Sequence, residues 1–416
     1  MQKQYKLSRK KTSGLSGSLS AIAWRRFRKN RLSFFFLGII CLAAFISLLG
    51  YLISPDSTPY ANNQCLELGL KKPGFSVTML RVLKKDEVQQ RNIFSRMLFG
   101  QPQDFINIPV FKYYFKDGEI FYEEFTGDIP NDGAWHSVNL VEITFLLKPG
   151  TKPEIRNNFI CFTDINGTDC KHSVSELQNQ IIKDHISRKT FLLGTDRFGR
   201  DVLSQLIIGT RVSLSVGFIS VLISLIVGIL LGSLAGFFRG WVDNLATWFI
   251  NVVWSIPTLL LVIAITFALG KGFWQIFIAV GLTMWVEVAR IVRGQILGIR
   301  EKEYIEASIA LGYKNSRIIF RHILPNIMGP VIVISAGNFA SAILIEAGLS
   351  FLGLGVQPPV PSWGSMIKEN YGYIVLDYAY LAILPGLAIM IMVLAFMMVG
   401  NGLRDSLDVR DVKANG

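Results

Sequence analysis

Residues 303–326, EYIEASIALGYKNSRIIFRHILPN, are polar and basic, yet they lie between two long apolar runs. The runs require a bilayer. The segment between them requires water and something to dock against. Residues 303–311 are helix formers with no breaker, and Gly312 then suits the left-handed position that closes a helix. Asn315 or Ser316 is placed to cap a second helix, expected to stop ahead of Pro325, whose ring crowds its predecessor. The expectation is two short helices joined at a glycine corner. A plain cytoplasmic linker would share this charge and length, so the spacing of particular residues has to decide.

Outward from this segment the chain is a membrane protein. Of its 416 residues 51% are hydrophobic and only 17% charged. The net charge is +12, but residues 54–201 carry 18 Lys and Arg against 19 Asp and Glu, so the whole excess lies elsewhere. That distribution fits a positive-inside topology and excludes nucleic acid as the reason for the basicity. Residues 1–31 form a basic cytoplasmic lead, and the uncharged run 32–53 is long enough to cross a hydrocarbon core of about 30 Å. Its length and the long lead argue against a cleaved signal peptide. Further spans are expected at about 213–238, 253–270 (with Pro257 as a tolerated kink), 273–289, 327–350 and 378–403. Arg290, Arg293, Arg300, Lys302, Lys314, Arg317 and Arg321 mark the cytosolic side, as does the tail 404–416. Six spans with both termini in the cytosol follow, and Lys271 and Lys368 fall in the two short outer loops.

Residues 54–189 read as a soluble insert outside the cytosol, large enough for its own core. Strand-like pieces at 105–114, 118–125, 138–147 and 158–162 are punctuated by Pro-Gly, Asp-Gly and Asn-Gly turns, and 173–187 reads as a helix. A small α+β domain is expected. Cys65, Cys161 and Cys170 lie in this region, where one disulfide would form most simply between Cys161 and Cys170. No cysteine or histidine spacing matches a metal site.

Two further stretches stand out. Residues 191–217, FLLGTDRFGRDVLSQLIIGTRVSLSVG, contain Gly194, Thr195, Asp196, Gly199, Arg200, Asp201 and Arg211. A phosphate-binding loop is a poor reading, because the Gly-Lys-Ser/Thr end and a preceding apolar strand are missing. An interfacial turn whose charges pair with each other or with neighbours is better. Glu346, in IEAGLSFLGLGVQPPVPSWG, stands some 20 residues, or about 30 Å of helix, beyond Asn326, near the outer boundary. It either lines the outer mouth of a pathway or anchors the following loop, and the anchor is favoured. Glu287, a turn before Arg290, reads as half of an interfacial ion pair.

These motifs resemble those of ABC-importer permeases. Glu306-Ala307, Gly312 and His322-Ile323-Leu324-Pro325-Asn326 follow the order of that family's EAA loop, with Ser308 where a second alanine is usual. Residues 194–214 resemble the lead into span two in the oligopeptide and dipeptide branch, C-type subunit, with Phe191 where histidine is common. Gly400-Asn401-Gly402-Leu403-Arg404-Asp405-Ser406-Leu407-Asp408 resembles the family's tail, with asparagine in place of aspartate at 401. The resemblance covers 21–53 and 191–410; an insert as large as 54–189 is atypical.

The resemblance implies the all-α, six-span type I importer fold and a coupling loop that docks on an ATPase. Glu306, Ala307, Gly312, His322, Leu324, Pro325 and Asn326 would be its working residues. It implies a second permease, two ATPase subunits that bind ATP and magnesium, an extracytoplasmic binding protein and a bacterial inner-membrane location. The chain itself has no Walker A sequence, and no cofactor, metal or catalytic site of its own is expected. Peptide is the expected cargo, with a nickel chelate or antibiotic peptide as alternatives. A secondary transporter would show midplane carboxylates and broken helices in paired halves, and an enzyme would show a nucleophile motif such as Gly-x-Ser-x-Gly; neither pattern is evident.

Overall fold

A computed structural model describes residues 19–407, apart from 86, 87, 128, 130, 131 and 271. The lead 1–18, Lys271 and the tail 408–416, with Asp408, lie outside the described residues.

The amphipathic helix α1 (Leu19–Lys29) precedes the first span, α2 (Arg31–Ile53), whose start is capped by Asn30 accepting from the Ser33 amide. Strand β1 (Phe75–Leu83) and helix α3 (Ile93–Phe99) follow, then β2 (Phe105–Lys116), β3 (Glu119–Glu124), β4 (Trp135–Asn139), α4 (Leu140–Thr144), β5 (Glu154–Arg156), β6 (Phe159–Thr163), β7 (Asp169–Ser173), α5 (Val174–Gln180) and β8 (Ile186–Phe191). An antiparallel sheet of order β4-β3-β2-β1-β8 and a smaller one, β5-β6-β7, enclose a core with α4 and α5 that includes Leu80, Ile120, Leu140, Ile160 and Leu177. This is the α+β insert, and its neck is the pairing of β1 with β8, where Phe75 opposes Phe191.

The insert differs from expectation in three ways. Residues 140–144, inside the stretch read as strand, are helical, because the Asn139 side chain accepts from the Val141 amide and caps a turn there. The helix expected over 173–187 passes through a wide π turn at Ile181–His185 and gives way to β8. Cys161 and Cys170 are both free thiols. Cys170 stands opposite Phe162 in the β6–β7 ladder, so it shares that residue's face and Cys161 points to the other. Cys65 is also free, its thiol pushed up to about 12 by burial and by its hydrogen bond to Glu67.

The membrane bundle comprises α6 (Val202–Phe238), α7 (Gly240–Trp254), α8 (Thr258–Leu269), α9 (Phe273–Arg300), α10 (Glu303–Ala310), α11 (Asn315–Arg317), α12 (Leu324–Phe351), α13 (Trp363–Asn370) and α14 (Tyr380–Leu407). Among the described residues five helices are long and apolar enough to cross a membrane, and six if the bent pair α7–α8 counts as one. The helix that carries span two starts at Val202, ahead of 213, because the Asp201 side chain caps it by accepting from the Ser204 amide. Span three is broken, not merely kinked: α7 and α8 meet at 93° across residues 255–257, where Pro257 interrupts the ladder. Helices α6 and α9 pack closely because Gly228, Gly232 and Gly236 form a stripe against Val288, Val292 and Ile296, where any Cβ would collide. Phe339 and Phe396 stack at 3.9 Å between α12 and α14.

Candidate functional site

The elbow of residues 303–326 has two faces. Ile305 on α10 is buried in a cluster with Val292, Ile296, Ile318 and Ile323, and Ser308 is buried too, which fastens α10 to one end of the bundle. Ser308 donates to the Tyr304 carbonyl at 2.7 Å, so the serine at this position is self-satisfied in a tight contact. The corner is a Schellman motif: the Gly312 amide donates to Ile309 and the Tyr313 amide to Ser308. Gly312 has φ +76°, and a Cβ there would meet nothing, so the glycine serves backbone conformation, not space.

The second helix departs from expectation. Its N-cap is Lys314, with no side-chain cap from Asn315 or Ser316. It also runs on past Pro325: a π turn at Ile318–Ile323 widens the ladder, the Leu324 amide donating to Ile319, and α12 continues from there. Pro325 thus takes a first-turn place, where no amide is required.

Glu306 and Ala307 are exposed, and the Glu306 side chain has no ion pair or hydrogen bond among the described residues. Tyr304, Ile309, Leu311 and Phe320 are exposed as well, the last two by 71% and 67%. A hollow of about 480 Å³ lies between Gly312, Tyr313, Arg317 and Phe320. His322 stacks on Tyr313, Arg317 lies 4.6 Å over the same ring, and Asn326 donates to the His322 carbonyl at 2.6 Å. The His322 Nε2 atom is buried without a hydrogen-bond partner. Leu324 packs into the core below. Acidic, basic and apolar groups are therefore presented together on one firmly seated surface, a form suited to docking rather than to catalysis.

The segment 194–211 is built the opposite way. Thr195, Asp196, Arg200 and Asp201 are at most 5% exposed. Asp196 accepts from the Phe198 and Arg200 amides, from Arg200 Nε at 2.6 Å and from Gln205 at 3.0 Å, and Arg200 also donates to Glu369 at 2.5 Å. Burial opposes the Arg200 charge, but the two carboxylates outweigh it and raise its pKa. Burial pushes the Asp201 carboxyl up despite its bonds to Ser204. Thr195 donates to the Leu68 carbonyl and accepts from the Lys71 amide, while the Cys65 amide donates to Phe198. At Gly194 and Gly199, both with positive φ, a Cβ would strike the carbonyls of Lys71 and Cys65. Residues 54–73, expected to belong to the insert, are thereby locked to the permease core, since Asp56 also donates its amide to Ser204. The insert proper begins at the β1–β8 neck. Arg211 donates to the carbonyls of Met97 and Leu98 at the end of α3.

Glu346 is fully buried. It accepts from Ser350 Oγ at 2.7 Å and lies 3.5 Å from Ser213 Oγ. Ser362 caps α13 in a capping box beside them, so the carboxylate sits among hydroxyls where the loop between α12 and α13 folds back. The ion pair expected for Glu287 is absent: Arg290 donates to Asn251 and lies 3.7 Å over Trp254. Partners missed from sequence were Glu369 for Arg200, Asp56 for Ser204 and Asp243 for Arg293, all remote along the chain.

A bundle of broken and continuous spans with a polar elbow on one side, and no nucleotide loop, is a membrane permease subunit. The chain belongs to the family of binding-protein-dependent transport system inner membrane components, whose profile matches residues 228–410. Residues 18–73 match the N-terminal transmembrane domain of oligopeptide transport permease C, ending where the neck begins. The chain is 43% identical over 215 residues to the dipeptide transport system permease protein DppC of Alkalihalophilus pseudofirmus, covering 52% of this chain and 70% of that one. It is 39% identical over 230 residues to the oligopeptide transport system permease protein OppC of Bacillus subtilis, covering 55% and 75%. It is 41% identical over 216 residues to the glutathione transport system permease protein GsiD of Pectobacterium atrosepticum, covering 52% and 71%. Among solved structures it is similar to the inward-facing MetNI methionine ABC transporter, with TM-score 0.42 and 19% identity over 49% of this chain and 96% of that one. It is thus a multi-pass inner-membrane subunit of an ABC importer.

Proposed function

We propose that this chain is the C-type permease of a peptide importer, paired with a second, related permease, two ATPase subunits and an extracytoplasmic binding protein. ATP and magnesium are held by the ATPases, and both termini of this chain lie in the cytosol. The elbow carries the reading. Its exposed Glu306, Leu311 and Phe320 project from helices that are themselves sealed to α9 and α12, so a push on the elbow is delivered to two spans at once. When the ATPases close on ATP, the elbow moves with them and the bundle turns from inward-facing to outward-facing. Peptide released by the binding protein then passes between the two permeases. The small-residue packing of α6 on α9 lets these helices move as one body.

Glu306 is the polar anchor of the docking helix, Gly312 sets its corner, and Pro325-Asn326 begin the return into the membrane. Glu346 anchors the outer loop. The insert stands on the side that receives the binding protein, and we assign it a part in that contact. The test is uptake of labelled di- and tripeptides by the reconstituted complex. ATP-dependent accumulation that requires all subunits supports the reading. Accumulation of a nickel chelate but not of peptides would replace the cargo, and transport by this chain without ATPases would end the proposal.

A further inference from the structure

Beside the break in span three lies a half-open cavity of about 520 Å³ on one face of the bundle. Its wall is formed by residues 253–258 at the bend, by α9 and by Ser341, Leu344 and Ile345 of α12. One side chain on this wall carries a formal charge, Glu287. It lies 14 residues into α9, about 21 Å from the outer end, and therefore within a core of about 30 Å. The cations nearest to it along α9 are engaged elsewhere: Arg290 with Asn251 and Trp254, and Arg293 with Asp243 at 2.5 Å. The Glu287 side chain is exposed and makes no ion pair or hydrogen bond to any described residue. A carboxylate held at membrane depth without a partner is costly, and such groups mark the route of a charged cargo.

The rest of the wall fits the same ligand. Ser255 and Thr283 spend their hydroxyl protons on the carbonyls of Val252 and Val280, which leaves their oxygens free to accept. One carboxylate and several acceptor oxygens, with apolar Leu344 and Ile345 beside them, suit a primary ammonium next to a short aliphatic body. The volume lies in the range of small-ligand sites and accommodates a di- or tripeptide. We infer that Glu287 and the bend of span three form a mid-passage subsite for the free amino terminus of the cargo. This rests on the peptide reading above and adds a residue and a chemical group to it.

The test uses the complete transporter with its binding protein in proteoliposomes, and labelled trialanine as probe. Glu287→Gln keeps size and hydrogen bonding but removes the charge; Glu287→Asp keeps the charge. The expected result is at least a tenfold loss of trialanine import in Glu287→Gln, import within threefold of the parent in Glu287→Asp, and unchanged assembly, melting temperature and ATPase activity in both. Equal import by Glu287→Gln and the parent would overturn the subsite. So would an equal loss in both variants, or a loss accompanied by a lower melting temperature, since each makes the side chain a packing or subunit-contact residue. Failure of the unaltered complex to import trialanine would be seen before any variant is made, and would remove the peptide reading and this inference together.

Discussion

The elbow at 303–326 and the belt at 194–211 are both rich in charge, and they are resolved in opposite ways. In the belt, Asp196 and Arg200 are buried and bonded to each other and to Gln205 and Glu369. In the elbow, Glu306 is exposed and unbonded, and Leu311 and Phe320 face outward. Charges that satisfy one another inside a chain hold that chain together. Charges and apolar groups left unmatched on a rigid mount serve another molecule. The belt is therefore expected to govern folding and the elbow to govern coupling.

Removing Arg200 is the most severe way to test this division. Arg200→Ala leaves the buried Asp196 and the half-buried Glu369 without their cation, a change that costs about 3–5 kcal/mol. The measurement is the amount of folded protein in membranes and the melting temperature of what is recovered. A variant that accumulates and melts like the parent would show that the belt is not structural. Excision of residues 75–190 ranks next. The neck brings Gly74 and Phe191 together, the amide of the former donating to the carbonyl of the latter at 2.9 Å, so a short turn can close the gap. The cut uncovers Leu68, packed against Val77 and Met79, at about 1.5–3 kcal/mol, and frees Arg211 from α3. The shortened chain should still enter the membrane and assemble with its ATPases, with impaired peptide uptake. Unchanged uptake would make the insert a passive appendage.

Gly312→Asp is milder for the fold and harsher for coupling. A side chain meets no clash there, so the cost is the left-handed backbone alone, about 1 kcal/mol. Normal abundance with ATP hydrolysis no longer tied to uptake is expected, and normal uptake would count against the corner.

What was legible in the sequence follows the same division. The elbow's first helix and its corner are local, set by residues within ten positions of one another, and they were readable. Pro325 misled because a proline stops a helix only where its missing amide is needed, and the π turn ahead of it removes that need. The belt's residues were found by motif, but not their partners: Glu369 is 169 positions from Arg200, and nothing local marks it. The broken third span was readable only as a kink, since a proline in an apolar run does not state its angle. Helix α4 had a signal, Asn139 as an N-cap, overshadowed by the alternation around it. Whether Cys161 and Cys170 could pair was not legible, since it turns on register, where one residue decides the face.

The smallest expected change in stability belongs to Glu306→Ala. The side chain is exposed and makes no ion pair or hydrogen bond among the described residues, alanine favours helix, and the shift should stay within about 0.5 kcal/mol. A residue that contributes so little to its own fold can matter only through what docks on it. Uptake should fall while the melting temperature stays put, and charge reversal to Glu306→Lys should fall further. The apolar neighbours Leu311 and Phe320 supply contact area in either variant, so partial docking, not detachment, is the expected state. If Glu306→Ala and Glu306→Lys both import peptide at the parental rate, docking rests on those apolar side chains, and Leu311→Ala becomes the deciding substitution.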